Sequence, residues 1–229
     1  MSFFEPPPPP ERPEPPFEIP KPRPWWQAPG NELGAPVPLR LVLARTDRIV
    51  IALVGAVAYT VGTAFTLTVR SQQRSDESLL EEPWEMPFGH HHMRRSQGGD
   101  IPPEVLRFGV QFSDGSKATT LSGEMPFARP GKEEEEPAGP VLTPGGGGGS
   151  PGQWDSEFWL WPLPPPGPLT FAVEWPKHEL ELTMQDVDAG LILDASKKSE
   201  VLWPDAGGSG GGVHSNLIVL RKLDEEEQP

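Results

Sequence analysis

Apolar residues run without a charge from Ile49 to Val69, bracketed by Arg48 and Arg70. About 20 such residues can cross a bilayer as a helix, with flanking arginines as interfacial anchors. The side chains argue for another conformation. Ile49, Val50, Ile51, Val54, Val57, Thr60, Val61, Thr63, Thr66, Thr68 and Val69 are β-branched, stiff at χ1 and suited to a pleated sheet. In the second half Phe65, Leu67 and Val69 alternate with Thr66, Thr68 and Arg70, the period of a half-buried strand. With Gly62 at the turn, the pattern predicts strands over Ile49 to Ala58 and Ala64 to Arg70. A single membrane span over Ile49 to Val69 is the alternative.

The same patterning predicts six further strands. Leu39 to Ala44 precedes the first pair. Leu106 to Phe112 and Lys117 to Leu121 flank Ser113-Asp114-Gly115-Ser116, and Asp-Gly between such runs is a strong hairpin signal. Phe158 to Leu163 and Leu169 to Trp175 read as a pair around a proline turn at Pro164 to Pro168. Glu179 to Met184 alternates Leu180, Leu182 and Met184 with polar residues, as an outer strand would. From Asp188 the period becomes helical through Leu191, Ile192, Ala195 and Leu202, with Asp186 or Asp188 as the cap and Pro204 just past the end. Short strands without intervening helices imply a mainly β fold, an antiparallel β-sandwich of immunoglobulin-like architecture with one helix on its C-terminal side. Trp159 and Trp161, two apart, must share a face. Together with Trp175 they are expected to form a buried layer against Phe108, Val110 and Phe112, with an exposed aromatic binding strip as the other reading.

Composition divides the chain. Of 229 residues, 32 are Pro and 25 are Gly, a share at which low-complexity segments are expected. Prolines crowd residues 1–34, which read as a disordered tail that Trp25 and Trp26 pin to the sheet, or as a docking peptide for an aromatic-lined groove. Residues 35–204 read as one domain with disordered inserts near 72–100 and 129–153, and 205–229 as a glycine-rich and acidic tail. Limited proteolysis is expected to cut first in residues 1–34, 130–152 and 205–212. The net charge of −14 argues against nucleic acid, whose affinity rests on clustered Lys and Arg. The absence of Cys removes disulfides and thiolate chemistry. The N-terminus has acidic residues and prolines where a secretory signal has a basic start and an apolar run.

Candidate chemistry is sparse. His90-His91-His92 carries metal-binding side chains, but adjacent histidines rarely close one site, and an exposed tract is expected. Gly145 to Gly149 lacks the Lys-Ser or Lys-Thr of a phosphate loop and reads as a flexible linker. Glu133 to Glu136 reads as a solvated acidic run. His178, Glu179, Glu181, Asp186 and Asp188 could supply a general acid and base or cation ligands, but Glu179 and Glu181 are expected on a solvent face and an Asp at a helix start as a cap. No catalytic, cofactor or metal site is therefore assigned. The segments Leu41-Val42-Leu43-Ala44-Arg45-Thr46-Asp47, Leu106-Arg107-Phe108-Gly109-Val110-Gln111-Phe112-Ser113-Asp114-Gly115 and Trp161-Pro162-Leu163-Pro164-Pro165-Pro166-Gly167-Pro168-Leu169-Thr170-Phe171 resemble those of uncharacterised bacterial proteins of high-GC Gram-positive lineages. That resemblance implies a soluble character and offers no catalytic residues. The expectation is a soluble, cytoplasmic, non-enzymatic interaction or scaffold protein, reaching a protein partner through its proline-rich tail or a sheet edge. A hydrolase or metal-dependent enzyme using His178 or the acidic group is the weaker option.

Overall fold

The computed structural model describes residues 25–72, 101–121, 136–150 and 152–203. In chain order the elements are β1 (Glu32–Leu33), β2 (Ala35–Val37), β3 (Leu41–Arg45), β4 (Ile49–Ala58), β5 (Thr63–Ser71), β6 (Arg107–Gln111), β7 (Lys117–Thr119), β8 (Val141–Ser150), β9 (Gln153–Trp161), β10 (Pro168–Trp175), β11 (Leu180–Asp188), α1 (Gly190–Ser196) and β12 (Glu200–Val201). A six-stranded sheet runs β2-β4-β5-β9-β8 with β3 also paired to β4, and a four-stranded sheet runs β11-β10-β6-β7. Every pairing is antiparallel. The fold is mainly β, as the patterning predicts, and is compatible with an immunoglobulin-like arrangement.

Residues 49–69 form two strands rather than a membrane-spanning helix. β4 and β5 pair from Ile49↔Ser71 to Ala58↔Thr63, and the Tyr59 amide donates to the Gly62 carbonyl at 2.9 Å across the turn. Among the described residues no helix is long and apolar enough to cross a membrane. The β-branched content settles the local conformation, and burial of Ile51, Leu53, Phe65, Leu67 and Val69 in the core rewards it.

Between the two main sheets lies an aromatic core. Phe65 of β5 meets Phe171 of β10 edge-on at 5.2 Å, Phe108 of β6 meets Phe158 of β9 at 5.0 Å, and Phe108 stacks on Phe171 at 6.3 Å. The hairpin at Asp114 forms as predicted: Ser116 donates through its amide and hydroxyl to Asp114 Oδ1 at 2.9 and 2.6 Å, and Gly115 takes φ of 88°. These hydrogen bonds hold the Asp114 carboxyl below its ordinary pKa.

Several expectations are corrected. Phe158 to Leu163 and Leu169 to Trp175 do not pair; β9 lies between β5 and β8, while β10 lies between β6 and β11. The prolines between them remove ladder donors, and the chain crosses from one sheet to the other. Gly167 serves that crossing with φ of 121°, where a Cβ would lie 2.9 Å from the Ser113 side chain, and Ser113 Oγ donates to the Pro166 carbonyl at 3.0 Å. The run 145–149 is part of an edge strand, not a linker: β8 pairs with β9 up to Ser150↔Gln153, with an irregularity between Pro144 and Gly147. Backbone pairing needs no side chain, so a periodicity argument cannot see it.

The end of the proline-rich tail is also structured. Residues 25–34 include Trp25, which is buried, and β1, which pairs with β12. Helix α1 spans seven residues and leaves Leu202 outside it. Asp188 Oδ1 accepts from the Gly190 amide at 2.8 Å, whereas Asp186 accepts from Thr170 Oγ1 at 2.6 Å and caps nothing. In β11, Leu180 is buried but Leu182 and Met184 are 60% and 52% exposed. Their register partners explain this: Met184 pairs with Ala172 on the outer face, while Gln185 and Thr183 pair with the buried Phe171 and Val173. Residues 73–100 and 204–229, with His90–His92, lie outside the described residues, as do residues 133–135 of the acidic run.

Candidate functional site

The tryptophans divide between the sheets. Trp159 and Trp161 do share a face, but it is the outer face of the six-stranded sheet, because Phe158 and Leu160 fill the inner one. Trp175 belongs to β10, faces the core and donates its indole N–H to the Glu104 carbonyl at 2.8 Å. The three therefore do not form one strip, and Phe108 meets Phe158 and Phe171 instead. Aromatic bulk alone did not indicate which face is inside. Trp159 and Trp175 are nonetheless buried, as expected, and Trp161 is half-buried.

Register builds the outer face. Gly55, Thr66 and Glu157 lie side by side across β4, β5 and β9, as do Val57, Ala64 and Trp159, and Thr68 beside Asp155. At one end Trp25 packs edge-on against Trp161 at 5.8 Å, with its carbonyl 3.4 Å from the Thr143 hydroxyl that donates to it. Tyr59 packs edge-on against Trp159 at 5.6 Å. At the other end Asp155 accepts from Thr68 Oγ1 and from Gln153 Nε2, with Arg70 at 3.4 Å. Desolvation pushes the Asp155 carboxyl up, but the hydrogen bonds from Thr68 and Gln153 and the charge of Arg70 outweigh it and hold the pKa below its ordinary value.

Between these ends is an open groove of about 730 Å³, lined by Pro36, Arg40, Val54, Tyr59, Thr66 and Glu157 among others. Its floor includes a β-bulge: the β4–β5 register shifts between Leu53 and Gly55, so that Val54, 46% exposed, and Gly55 both lie on the outer face while Leu53 and Ala56 stay in the core. Gly55 adds no side chain over the floor. Glu32 supports the rim: its carboxylate accepts from the Thr60 amide and hydroxyl at 2.6 and 2.8 Å. The groove thus presents apolar walls, one phenol, one carboxylate and one guanidinium.

Tyr59 reports on this environment. Its pKa lies above the ordinary 10.0 because burial disfavours the phenolate, and the carboxylates of Glu32 and Glu157 disfavour it further. A raised folded-state pKa contributes stability that is fully present below the unfolded value and is lost as pH rises through the folded one. The chain contains one Tyr, so tyrosinate absorbance in an alkaline titration reads this group alone. Its midpoint is expected above that of free tyrosine, and Glu157→Gln is expected to lower it part of the way. A midpoint at the free value would contradict the half-buried, acid-flanked placement.

None of the other sequence candidates lines the groove, and those at the start of β11 lie far from those at its end. His178 packs edge-on against Trp175 at 4.2 Å. Glu179 follows a short 3-10 turn with φ of 54°, and Glu181 is exposed. Eight strand steps from Leu180 to Asp188 amount to about 26 Å, so His178 and Asp188 cannot act on one reacting atom. Among the described residues no group of three or more His, Cys, Asp or Glu could hold a metal ion. Sequence reasoning missed Val54, Tyr59, Glu157 and Glu32, whose proximity comes from long-range pairing. The available signal was Gly55 interrupting an apolar strand, which marks a bulge. Comparison of the chain with protein-family models, with curated proteins and with solved structures gives no match in any of the three.

Proposed function

We propose that this chain is a soluble, cytoplasmic, non-enzymatic interaction protein that holds an extended segment of a partner protein in the groove on the outer face of its six-stranded sheet. The observation that carries this reading is the groove itself: an open trough whose floor and walls are apolar and whose few polar groups, Tyr59, Arg40, Thr66 and Glu157, stand along its length. Such a surface offers apolar area for affinity and a small number of polar groups for orientation. The engagement of His178, Asp186 and Asp188 with three different neighbours supports binding over acid–base chemistry.

Selection from a random peptide library on the intact chain tests it. Enrichment of a consensus whose binding falls at least ~10-fold in Val54→Arg, with unchanged thermal stability, is the expected result; a factor of ten corresponds to about 1.4 kcal/mol. No enrichment, or a consensus that binds the Val54→Arg chain equally well, would contradict it.

A further inference from the structure

Two acids on the outer face of β9 are treated differently by their neighbours. Asp155, Glu157 and Trp159 alternate along the strand and point to the same side of the six-stranded sheet. Asp155 is compensated: it accepts from Thr68 and Gln153 and has Arg70 at 3.4 Å. Glu157 has no such company. β5 sets Thr66 beside it, and on the other side β8 shifts register between Pro144 and Gly147, leaving Gly145, where a Cβ would lie 3.3 Å from Glu157 Cβ. A hydroxyl and a glycine bring no charge, and among the described residues no cation pairs with the Glu157 carboxylate.

An exposed acid on a sheet face is ordinarily a solvated one. Glu157 differs because it lines the apolar groove together with Tyr59. Along β9 it is one outer-face step, about 7 Å, from Trp159, on which Tyr59 packs edge-on at 5.6 Å. Gly34 also closes on the phenol ring: a Cβ there would lie 2.8 Å from Tyr59 Cζ and 2.5 Å from Val57 Cγ1. The ring is thus a fixed wall. Glu32, whose carboxylate is held by Thr60, adds a second negative charge, and both acids disfavour the phenolate at Tyr59. Two carboxylates outnumber the single guanidinium of Arg40 in the groove, in a chain of net charge −14. A long side chain with an apolar stem and a cationic head matches this surface, because the stem lies along the ring while the head reaches the carboxylate.

We propose that the groove selects extended segments carrying a lysine or arginine, whose cationic head pairs with Glu157 while its aliphatic stem lies along Tyr59. This rests on the reading of the groove as a site for a partner segment and names what that segment must contain. An acidic segment, which Arg40 alone would favour, is the competing occupant.

Peptide-library selection on the full chain, repeated with Glu157→Gln and Glu157→Lys, tests this. Glu157 is exposed, so both variants are expected to keep the parent's melting temperature. The parent is expected to enrich Lys or Arg at one position of its consensus. Replacing that residue by norleucine is expected to weaken a synthetic consensus peptide at least ~10-fold on the parent and less than ~2-fold on Glu157→Gln, the coupling that a direct contact produces. Glu157→Lys is expected to enrich Asp or Glu at the same position, which a merely structural role for Glu157 would not bring about. A consensus that Val54→Arg abolishes but that has no basic position, or a basic position equally important on the parent and on Glu157→Gln, would overturn this proposal and leave the groove reading standing. Absence of any consensus sensitive to Val54→Arg would overturn both.

Discussion

Phe171→Ala is expected to cost about 3–5 kcal/mol and to lower the melting temperature by roughly 10–15 °C, which would leave a domain of ordinary stability close to unfolding. Phe171 is fully buried at the point where three aromatic rings from both sheets converge: Phe65 edge-on at 5.2 Å and Phe108 stacked at 6.3 Å. Its removal leaves a cavity between two sheets that are each held by continuous ladders, so the site can collapse only partially. Equilibrium denaturation of the two chains measures the difference. Trp161→Ala serves as the contrast, because Trp161 is half-buried on the outer face against Trp25 and its truncation is expected to cost only about 1–2 kcal/mol. A larger loss for Trp161 than for Phe171 would invert the assignment of the inner face.

Gly62→Ala is expected to cost about 2–3 kcal/mol, an overpacking penalty. A Cβ at this position would lie 2.5 Å from Trp159 Cζ2 and 2.6 Å from the Leu160 carbonyl oxygen. The glycine is required by close approach rather than by a left-handed backbone, since it is not among the positive-φ residues. Because one of the two obstacles is a side chain and the other is backbone, Trp159→Ala is expected to relieve only part of the penalty. A double-mutant cycle by chemical denaturation gives that coupling. A Gly62→Ala chain as stable as the parent would mean that β9 does not pass this close to the turn.

These two sites show where the sequence was readable. The strands flanking Gly62 carry β-branched residues and alternation, so residues 49–69 could be read as a hairpin, and Gly62 as its turn, without tertiary information. The reason Gly62 has to be glycine was not readable, because it depends on Trp159, which pairs from 95 positions away through Ala64↔Trp159 and its neighbours. The parity of Trp159 and Trp161 was correct, but periodicity fixes which residues share a face and not which face is inside; Phe158 and Leu160 won that competition. The proline turn was recognisable as a break in the ladder, yet the same residues suit a hairpin or a crossing. Only the match of β10 to β6, with Phe171↔Val110 and Val173↔Phe108, decides for the crossing. β8 escaped notice because glycine carries no side chain on which a period could register.

The candidate groove was the least readable feature. Arg40, Val54, Tyr59 and Glu157 come from three separate stretches of chain and meet only once β4, β5 and β9 are in register and β4 has bulged. No local pattern encodes such a meeting, whereas His90–His92 and the acidic residues near Asp188 are conspicuous in one dimension. Visibility in sequence and proximity in space therefore pointed to different residues.

Site-specific photocrosslinking in living cells tests the groove most directly. A photoreactive side chain placed at Val54, exposed on the groove floor, is expected to give a discrete adduct with a partner protein, and the same group at Lys117, on the far edge of the other sheet, none. Adducts of equal yield from both positions, or none from Val54 in a stably folded chain, would contradict the account.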